Sequence, residues 1–368
     1  MVYLDHAALT PILPEVLAVM TEAASSSWGN PDSRHAAGRR ARARVEAARA
    51  EVAALLRSVP GAVRFSVDGT RALALAVELA LANRRGPLAL SRIEHPSLLR
   101  LAETARAGGR EIRWLASREG GLDLEELAAL PAESVLAVGA LNHELGTAPD
   151  LPSVAVAASG AQLVVDAVQA AAWLDLSSLE AIEPIVVVAA QKIGGAPGAA
   201  AVSAPPRFPL RRDDEEEAVG WLDIVGLGEA CRLARARGQK RRAAARALTQ
   251  TLLEEILRVC PDARHNGAGD AWAGTILDVS FPGVLNGDLT SALDLEGVCV
   301  ARGSACLRQT TVGSAVVAAA YPGEPWRAAT ATRWSVGFDT TAGDVAAAAS
   351  ALRRIWGALP IRHELLPD

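Results

Sequence analysis

The chain has 368 residues, of which 50% are hydrophobic and 21% are charged, and its formal net charge is −5 at pH 7. This length suffices for two cooperating domains. The net negative charge gives the chain no overall positive potential that would attract nucleic acid. The first residues, MVYLDHAALTP, lack the basic start and apolar core of a secretory leader, and no run approaches the ~18 apolar residues of a membrane span. We therefore expect a cytoplasmic protein with no membrane or nucleic-acid partner.

The cysteines have neither the CxxC spacing of a metal site nor the density of a disulfide scaffold. The four are Cys231, Cys260, Cys299 and Cys306. They predict a reducing compartment, no bound metal and at least one thiol that is free to react.

Between about residues 15 and 245, short apolar runs alternate with amphipathic helical stretches such as RRARARVEAARAEVAALL. The runs are VRFSV (63–67), LALSRI (88–93), EIRWLA (111–116), SVLAVGAL (134–141), QLVVDAV (162–168) and PIVVVAA (184–190). Near-continuous apolar runs are typical of parallel strands that are buried on both faces. The pattern predicts a doubly wound α/β domain with a largely parallel sheet.

The pattern changes after a long helical region at about 229–258. The strand-like segments TILDVSF, GVCVARGSAC and TRWSVGF then mix with helices and loops. They predict a smaller α+β domain formed by residues 1–14 and 246–368. The acidic run DDEEE (213–217) is typical of an exposed loop or linker.

Lysine usage singles out one position. Of 37 basic residues, only Lys192 and Lys240 are lysines. Lys240 lies in the hydrophilic stretch RGQKRR, whereas Lys192 follows the strand PIVVVAA and precedes the Gly/Pro-rich IGGAPGAA. A guanidinium cannot form a Schiff base, because it stays protonated. We therefore expect the amine of Lys192 to have a chemical role.

Several motifs follow the predicted strands, where the ligands of α/β proteins gather. They are VDGTRALALA, EHPSLL, NHELG, VVDAVQA and AAQKIGG. Each motif alone is weak evidence for a functional site. An aspartate at a strand end is more often a helix cap, and a lone histidine is more often a core residue with its hydrogen bonds satisfied.

Taken together and in this order, the motifs resemble the NifS-like cysteine desulfurases, within the class V aminotransferase group of fold-type I pyridoxal-5′-phosphate (PLP) enzymes. YLDHAALTP resembles the family's YLDNAATTP, GNPDSRHAAGRRAR its GNPSSxHxxGRxAR, and FSVDGTRA its phosphate loop FTSGxTEA. EHPS, LNHELG, VDAVQA, QKIGGAPG, GSAC (303–306) and RWSVGFDTT follow in family order.

The resemblance implies PLP as cofactor and a role for each matching residue. Lys192 matches the lysine that binds the cofactor covalently, Asp166 the carboxylate at the pyridine nitrogen, and Gln169 the partner of the ring oxygen. A buried carboxylate keeps the pyridine protonated, so that the ring absorbs the electrons released at the substrate Cα. His95 matches the residue stacked on the ring.

Two further matches concern the substrate. Arg333 matches the arginine that binds the substrate carboxylate, because a planar guanidinium can donate two parallel hydrogen bonds to a carboxylate. Asn142 matches a polar contact to the cofactor and substrate.

Cys306, in ARGSACLRQTT, matches the thiol that accepts sulfur from L-cysteine, leaving alanine. The other three cysteines are expected to be small buried packing residues. Lys192, Cys306 and His95 are thus the predicted catalytic residues, in a homodimer that passes sulfur to an acceptor protein.

The chain departs from the family where the cofactor phosphate should bind. Ala189-Ala190-Gln191 replaces a segment that supplies a hydroxyl and an imidazole, and the RxGT segment that supplies a threonine from the partner subunit has no counterpart. Arg71 replaces a glutamate. We expect Arg71, with the N–H groups of Gly69 and Thr70 and with Gln191, to bind the phosphate, unless Arg71 simply faces solvent.

Two alternatives to desulfuration remain at this point. A PLP-dependent C–S lyase, selenocysteine lyase or aminotransferase would need Lys192 and Arg333 but no thiol nucleophile. A degenerate homologue that acts as a partner or scaffold would account for the lost phosphate contacts.

Overall fold

The computed structural model describes residues 1–208, 218–267, 269–303 and 313–367. Both the predicted nucleophile Cys306 and the acidic run 213–217 lie outside these residues. Within them, no helix combines the length and the apolar composition that a membrane span needs.

The described strands, in chain order, agree with the predicted apolar runs and add several others. They are β1 Val2–Tyr3, β2 Val63–Ser66, β3 Leu88–Ser91, β4 Ile112–Leu115, β5 Ser117–Arg118, β6 Gly121–Leu122, β7 Val135–Gly139, β8 Gln162–Asp166, β9 Ile185–Ala189, β10 Ala200–Ser203, β11 Arg264–Asn266, β12 Ile276–Ser280, β13 Val298–Cys299 and β14 Ala331–Ser335.

The described helices pack around these strands. They are α1 Pro14–Ser26, α2 Ala36–Leu55, α3 Gly69–Asn83, α4 Pro96–Ala107, α5 Leu124–Ala128, α6 Leu151–Ala157, α7 Leu179–Ile182, α8 Trp221–Val259, α9 Asn286–Leu295, α10 Ala315–Ala320, α11 Pro325–Thr330 and α12 Ala342–Trp356. Short 3₁₀ turns occur at Pro60–Ala62, Ala190–Lys192 and His363–Leu365.

Seven strands form the central sheet, in the order β2-β10-β9-β8-β7-β3-β4. Side chains that alternate along each strand face opposite layers, so Val135 and Ala137 pack with α3 and α4, whereas Leu136 and Val138 pack with α2 and α8. Helices thus cover both faces, which confirms the predicted doubly wound α/β fold.

Strand β10 was not predicted, and it is antiparallel to both of its neighbours, β2 and β9. Its sequence, AAVS, lies in an alanine-rich stretch between glycines and prolines. Alanine has a weak preference for strands, so the local pattern does not reveal this element. The sheet is therefore mixed, with a parallel majority.

Helix α8 begins eight residues earlier than the predicted 229, because Gly226 and Gly228 interrupt the helical pattern of the sequence. A Cβ atom at Gly228 would lie 2.5 Å from the Cα and Cβ atoms of Ala48 in α2. The glycine therefore lets α2 and α8 approach closely, and tertiary packing outweighs its low helix propensity.

The C-terminal part contains the antiparallel sheet β11-β12-β14. The N-terminal strand β1 joins this region, because Val2 and Tyr3 pair in parallel with Val298 and Cys299. The predicted domain boundary at residue 245 falls inside α8 and remains a prediction.

The contact between α2 and α8 gives a test of the packing. Gly228→Val should lower the free energy of unfolding by roughly 1–3 kcal/mol, because the new side chain overlaps the backbone of α2. Gly61→Val is the matched control, since a Cβ at Gly61 meets nothing within 4 Å. Chemical denaturation would measure both variants, and equal midpoints would contradict the close approach of the two helices.

Candidate active site

A cavity of about 280 Å³ opens at the carboxyl ends of strands β7, β8 and β9. It gathers most of the predicted site residues, which come from distant parts of the sequence: Gly69, Thr70, His95, Asn142, Asp166, Gln169, Gln191, Lys192 and Arg333. Arg71 is exposed and does not line this cavity. Its contact with a phosphate therefore remains a prediction.

Lys192 follows β9 in a 3₁₀ turn, and its amine meets the N-terminal segment. Nζ donates a hydrogen bond to the carbonyl of Ala7 at 2.7 Å and another to the carbonyl of Ala8. The amide of Gln169 donates to the same Ala7 carbonyl at 2.7 Å. These carbonyls hold the two side chains next to each other at the cavity.

Asp166 ends β8 and is 8% exposed. One carboxylate oxygen, Oδ1, accepts the N–H of Val168 at 3.0 Å. Burial raises the pKa of Asp166 to about 6, against the opposing effects of this hydrogen bond and of the Lys192 charge. A carboxyl group in such surroundings favours a cationic hydrogen-bond donor as its partner.

Glu94 is a second buried carboxyl at the cavity, and sequence reasoning missed it. Its Oε2 accepts the N–H of Gly139 at 2.9 Å, and Gly139 pairs with Asp166 across β7 and β8. Burial, followed by the charge of Asp166, raises the pKa of Glu94 to about 8. Glu94 therefore holds a proton at pH 7. An acid directly before His95 was visible in the sequence, but the strand order that brings it near Asp166 was not.

His95 caps the N-terminus of α4. Its Nδ1 accepts the N–H of Ser97 at 3.2 Å and lies 2.7 Å from the Ser97 hydroxyl, so the ring proton resides on Nε2. Burial, followed by the charge of Lys192 and of two arginines, lowers the pKa of His95 to about 4. The buried ring of His143 contacts it edge-on, with ring centroids 5.0 Å apart. At neutral pH His95 therefore presents an uncharged ring.

Arg333 reaches the cavity from β14 and is 2% exposed. Nη1 donates to the carbonyl of His143 at 3.0 Å, and Nη2 pairs with Asp5 Oδ1 at 2.8 Å. Its Nε has no hydrogen-bond partner in the part of the chain that the structure describes. The orientation of the guanidinium is thus fixed on two sides.

The NHELG segment forms a turn that is stabilised by Asn142. Its Oδ1 accepts the N–H groups of Glu144 and Leu145, and its Nδ2 donates to the carbonyl of Ile93 at 2.8 Å. The structure thus assigns Asn142 a role in shaping the turn, and its predicted contacts to cofactor and substrate remain predictions.

Glu144 connects this turn with both flanks of the segment 304–312, which includes Cys306. The hydroxyl of Ser314 donates to Glu144 Oε2 at 2.5 Å. On the other flank, a Cβ atom at Gly303 would lie 2.8 Å from the same oxygen. Residues on either side of the segment therefore lie against a turn that lines the cavity.

Asp68 also lines the cavity and was missed by sequence reasoning. It precedes α3, and its Oδ1 accepts the N–H of Arg71 at 2.8 Å. The sequence signal was present, since Asp68 stands where the resembled phosphate loop FTSGxTEA has its glycine. Because aspartate is a common N-cap residue, Asp68 looks ordinary in the sequence, although the family has a glycine at this place.

Comparison with known proteins identifies the family. The model for aminotransferase class-V matches residues 2–208 and 219–347. The chain belongs to this family. Family membership confirms the predicted PLP cofactor, and relatives named cysteine desulfurase confirm an enzyme of that group.

Among curated members of the group, the cysteine desulfurase IscS of Neisseria meningitidis serogroup C (strain 053442) is 30% identical over 83% of this chain and 80% of its own length. The putative cysteine desulfurase IscS 1 of Bacillus subtilis strain 168 is 28% identical over 95% of this chain and 96% of its own.

Solved structures of this group share the fold. One titled NifS-like protein has a TM-score of 0.87 at 23% identity, covering 97% of this chain and 100% of its own. The apo cysteine desulfurase from Thermococcus onnurineus NA1 has a TM-score of 0.83 at 17% identity, covering 97% and 95%. At these identities the likeness concerns the fold alone.

The buried carboxyl of Glu94 predicts a pH-dependent stability. Its pKa is about 8 in the folded chain and 4.5 ordinarily, so the folded state binds the extra proton between these values. The free energy of unfolding of the wild type should fall relative to Glu94→Gln by up to about 1.4 kcal/mol per pH unit as the pH rises through this window.

Urea denaturation of the cofactor-free wild type and of the variant, from pH 5 to pH 8, measures this difference. Glu103→Gln on the exposed surface is the control and should show a constant difference. A constant difference for Glu94→Gln as well would contradict the protonated state of Glu94.

Proposed function

We propose that the chain is a PLP-dependent cysteine desulfurase, which converts L-cysteine to L-alanine and passes the sulfur atom through Cys306 to an acceptor protein. The observation that carries this proposal is the convergence of Lys192, Asp166 and Arg333 on one cavity. The names of the curated relatives favour desulfuration over the other reactions of the family.

The cavity fits the ring of PLP. The amine of Lys192 would bind the cofactor covalently, the carboxylate of Asp166 would pair with the pyridine nitrogen, and Gln169 would contact the ring oxygen. The uncharged ring of His95 suits stacking on the pyridine. When bound, PLP supplies an electron sink for the bonding electrons released at the substrate Cα.

Arg333 would bind the carboxylate of L-cysteine. Its Nε is buried without a hydrogen-bond partner among the described residues, and a guanidinium edge matches a carboxylate with two parallel hydrogen bonds. Asp5 and the carbonyl of His143 would orient this edge. Lys192 Nζ is the proposed group that moves the proton to and from the substrate Cα.

Cys306 would accept the sulfur atom. Its thiolate would attack the substrate sulfur, forming an S–S bond while the C–S bond breaks and its electron pair stays with the carbon fragment, which leaves as alanine after protonation. Gly303 and Ser314, which flank Cys306 in the sequence, both lie against Glu144.

The remaining cysteines are poorer candidates for this step. Cys231 and Cys260 are buried, and burial raises the pKa of Cys260 to about 11 and that of Cys231 still higher. Cys299 is partly buried within β13. Thiols that stay protonated are weak nucleophiles, which favours Cys306.

We further infer a cytoplasmic homodimer without a nucleic-acid or membrane partner. The net charge of −5 argues against nucleic acid, and the free cysteines fit a reducing compartment.

The covalent role of Lys192 predicts that Lys192→Ala abolishes the visible absorbance band of the lysine-bound cofactor. The fold should persist, since the side chain is a small part of the core. Lys240→Ala is the matched control, because Lys240 is the other lysine of the chain, and it should keep the band. A band that survives Lys192→Ala would place the cofactor elsewhere.

The role of Cys306 predicts that Cys306→Ala still binds L-cysteine but loses most alanine formation, since no thiolate remains to accept the sulfur. Cys260→Ala should retain the activity. Mass spectrometry after incubation with L-cysteine should find one added sulfur atom on the Cys306 peptide, removable by a reductant. Wild-type rates of alanine and sulfide formation in Cys306→Ala would favour a C–S lyase instead.

A further inference from the structure

Asp68 places a carboxylate at the end of the cavity where helix α3 begins. Its Oδ1 accepts the N–H of Arg71 at 2.8 Å, so it already satisfies one of the N–H groups at this helix start. Such groups, together with the helix dipole, are what a phosphate uses when it binds at a helix N-terminus.

The other predicted phosphate contacts at the cavity are uncharged, and the guanidinium of Arg71 is exposed and does not line the cavity. Gly69 and Thr70 follow Asp68 at the cavity, and Gln191 faces the same space with a neutral amide. A Cβ at Gly69 would lie 3.3 Å from the methyl group of the buried Ala189, which offers no hydrogen bond.

A carboxylate and a phosphate dianion that share one helix start repel each other, because like charges a few ångströms apart interact unfavourably even at the surface of a protein. The carboxylate also competes for the N–H groups that the phosphate would accept. Both effects oppose binding of the phosphate group and leave the aldehyde, ring nitrogen and ring oxygen of the cofactor unaffected.

We propose that Asp68 determines cofactor specificity by weakening the hold on the phosphate, so that the site binds chiefly through the pyridoxal ring and discriminates little between PLP and unphosphorylated pyridoxal. This inference rests on the pyridoxal-binding part of the proposed function and not on desulfuration.

The test compares two ligands in three proteins. Full-length wild type, Asp68→Asn and Asp150→Asn are freed of bound cofactor by dialysis against hydroxylamine and titrated with PLP and with pyridoxal. The visible absorbance of the lysine-bound form reports the dissociation constants. Asparagine caps helices as well as aspartate does, so Asp68→Asn removes the charge and keeps the cap.

Asp68→Asn should lower the dissociation constant of PLP about tenfold, a change of about 1.4 kcal/mol, and leave that of pyridoxal within about twofold. Asp150→Asn is the matched control, because Asp150 caps α6 through Ser153 and does not line the cavity. Its ratio of the two dissociation constants should equal that of the wild type.

Equal shifts for the two ligands in Asp68→Asn, or no shift for PLP, would overturn the proposal. So would a failure of both the wild type and Asp68→Asn to bind either ligand. Because the readout is binding, a protein that makes no alanine can still show the selective shift. If the wild type forms alanine but Asp68→Asn shows no selective change in the dissociation constant of PLP, only the inference about Asp68 is wrong.

Discussion

The site depends on the shared direction of strands β7, β8 and β9. Parallel strands end at the same edge of a sheet, so the residues that follow them meet although the sequence separates them by tens of positions. Asp166 is the last residue of β8, Lys192 lies three residues beyond β9, and Asn142 lies three residues beyond β7. The antiparallel strand β10 does not disturb this arrangement, because it pairs on the far side of β9.

The N-terminal segment completes the site that the sheet begins. Its backbone carbonyls at Ala7 and Ala8 accept the amine of Lys192, and Asp5 pairs with Arg333. These contacts satisfy two cations that would otherwise be costly to place in a largely enclosed cavity. The contacts of Lys192 are hydrogen bonds, so its amine can exchange them for a covalent bond, whereas Asp5 stays with Arg333 and orients it.

The carboxyl groups at the cavity, unlike these two cations, are shifted by burial toward their uncharged form. Asp166 and Glu94 are both buried, and burial raises the pKa of each. A protonated pyridine nitrogen would give Asp166 a cationic hydrogen-bond donor in addition to the charge of Lys192, whereas Glu94 stays protonated and avoids a second buried charge. Glu94 therefore adds no second negative charge next to Asp166.

The sequence predicted the elements and the motifs with strong local patterns, and missed those that depend on tertiary contacts. The apolar runs revealed six strands of the central sheet, but the alanine-rich β10 has no such pattern. Helix α8 starts earlier than predicted because Gly228 is needed for its approach to α2.

The order of the motifs predicted Lys192, Asp166 and Arg333 as site residues, and the structure brings these three to one cavity. Glu94 and Asp68 escaped notice because an acid at a strand end or a helix start is ordinary until the strand order places it at a cavity.

Peptide mapping after borohydride reduction is the most direct test of the proposed bond between a pyridoxal cofactor and Lys192, at the edge where β8 and β9 end. Reduction makes the bond between cofactor and amine permanent, so mass spectrometry can locate it. We expect the mass of the reduced cofactor on the peptide that contains Lys192. Finding it on the peptide that contains Lys240, on the N-terminal amine, or on no peptide would contradict a cofactor bound at Lys192.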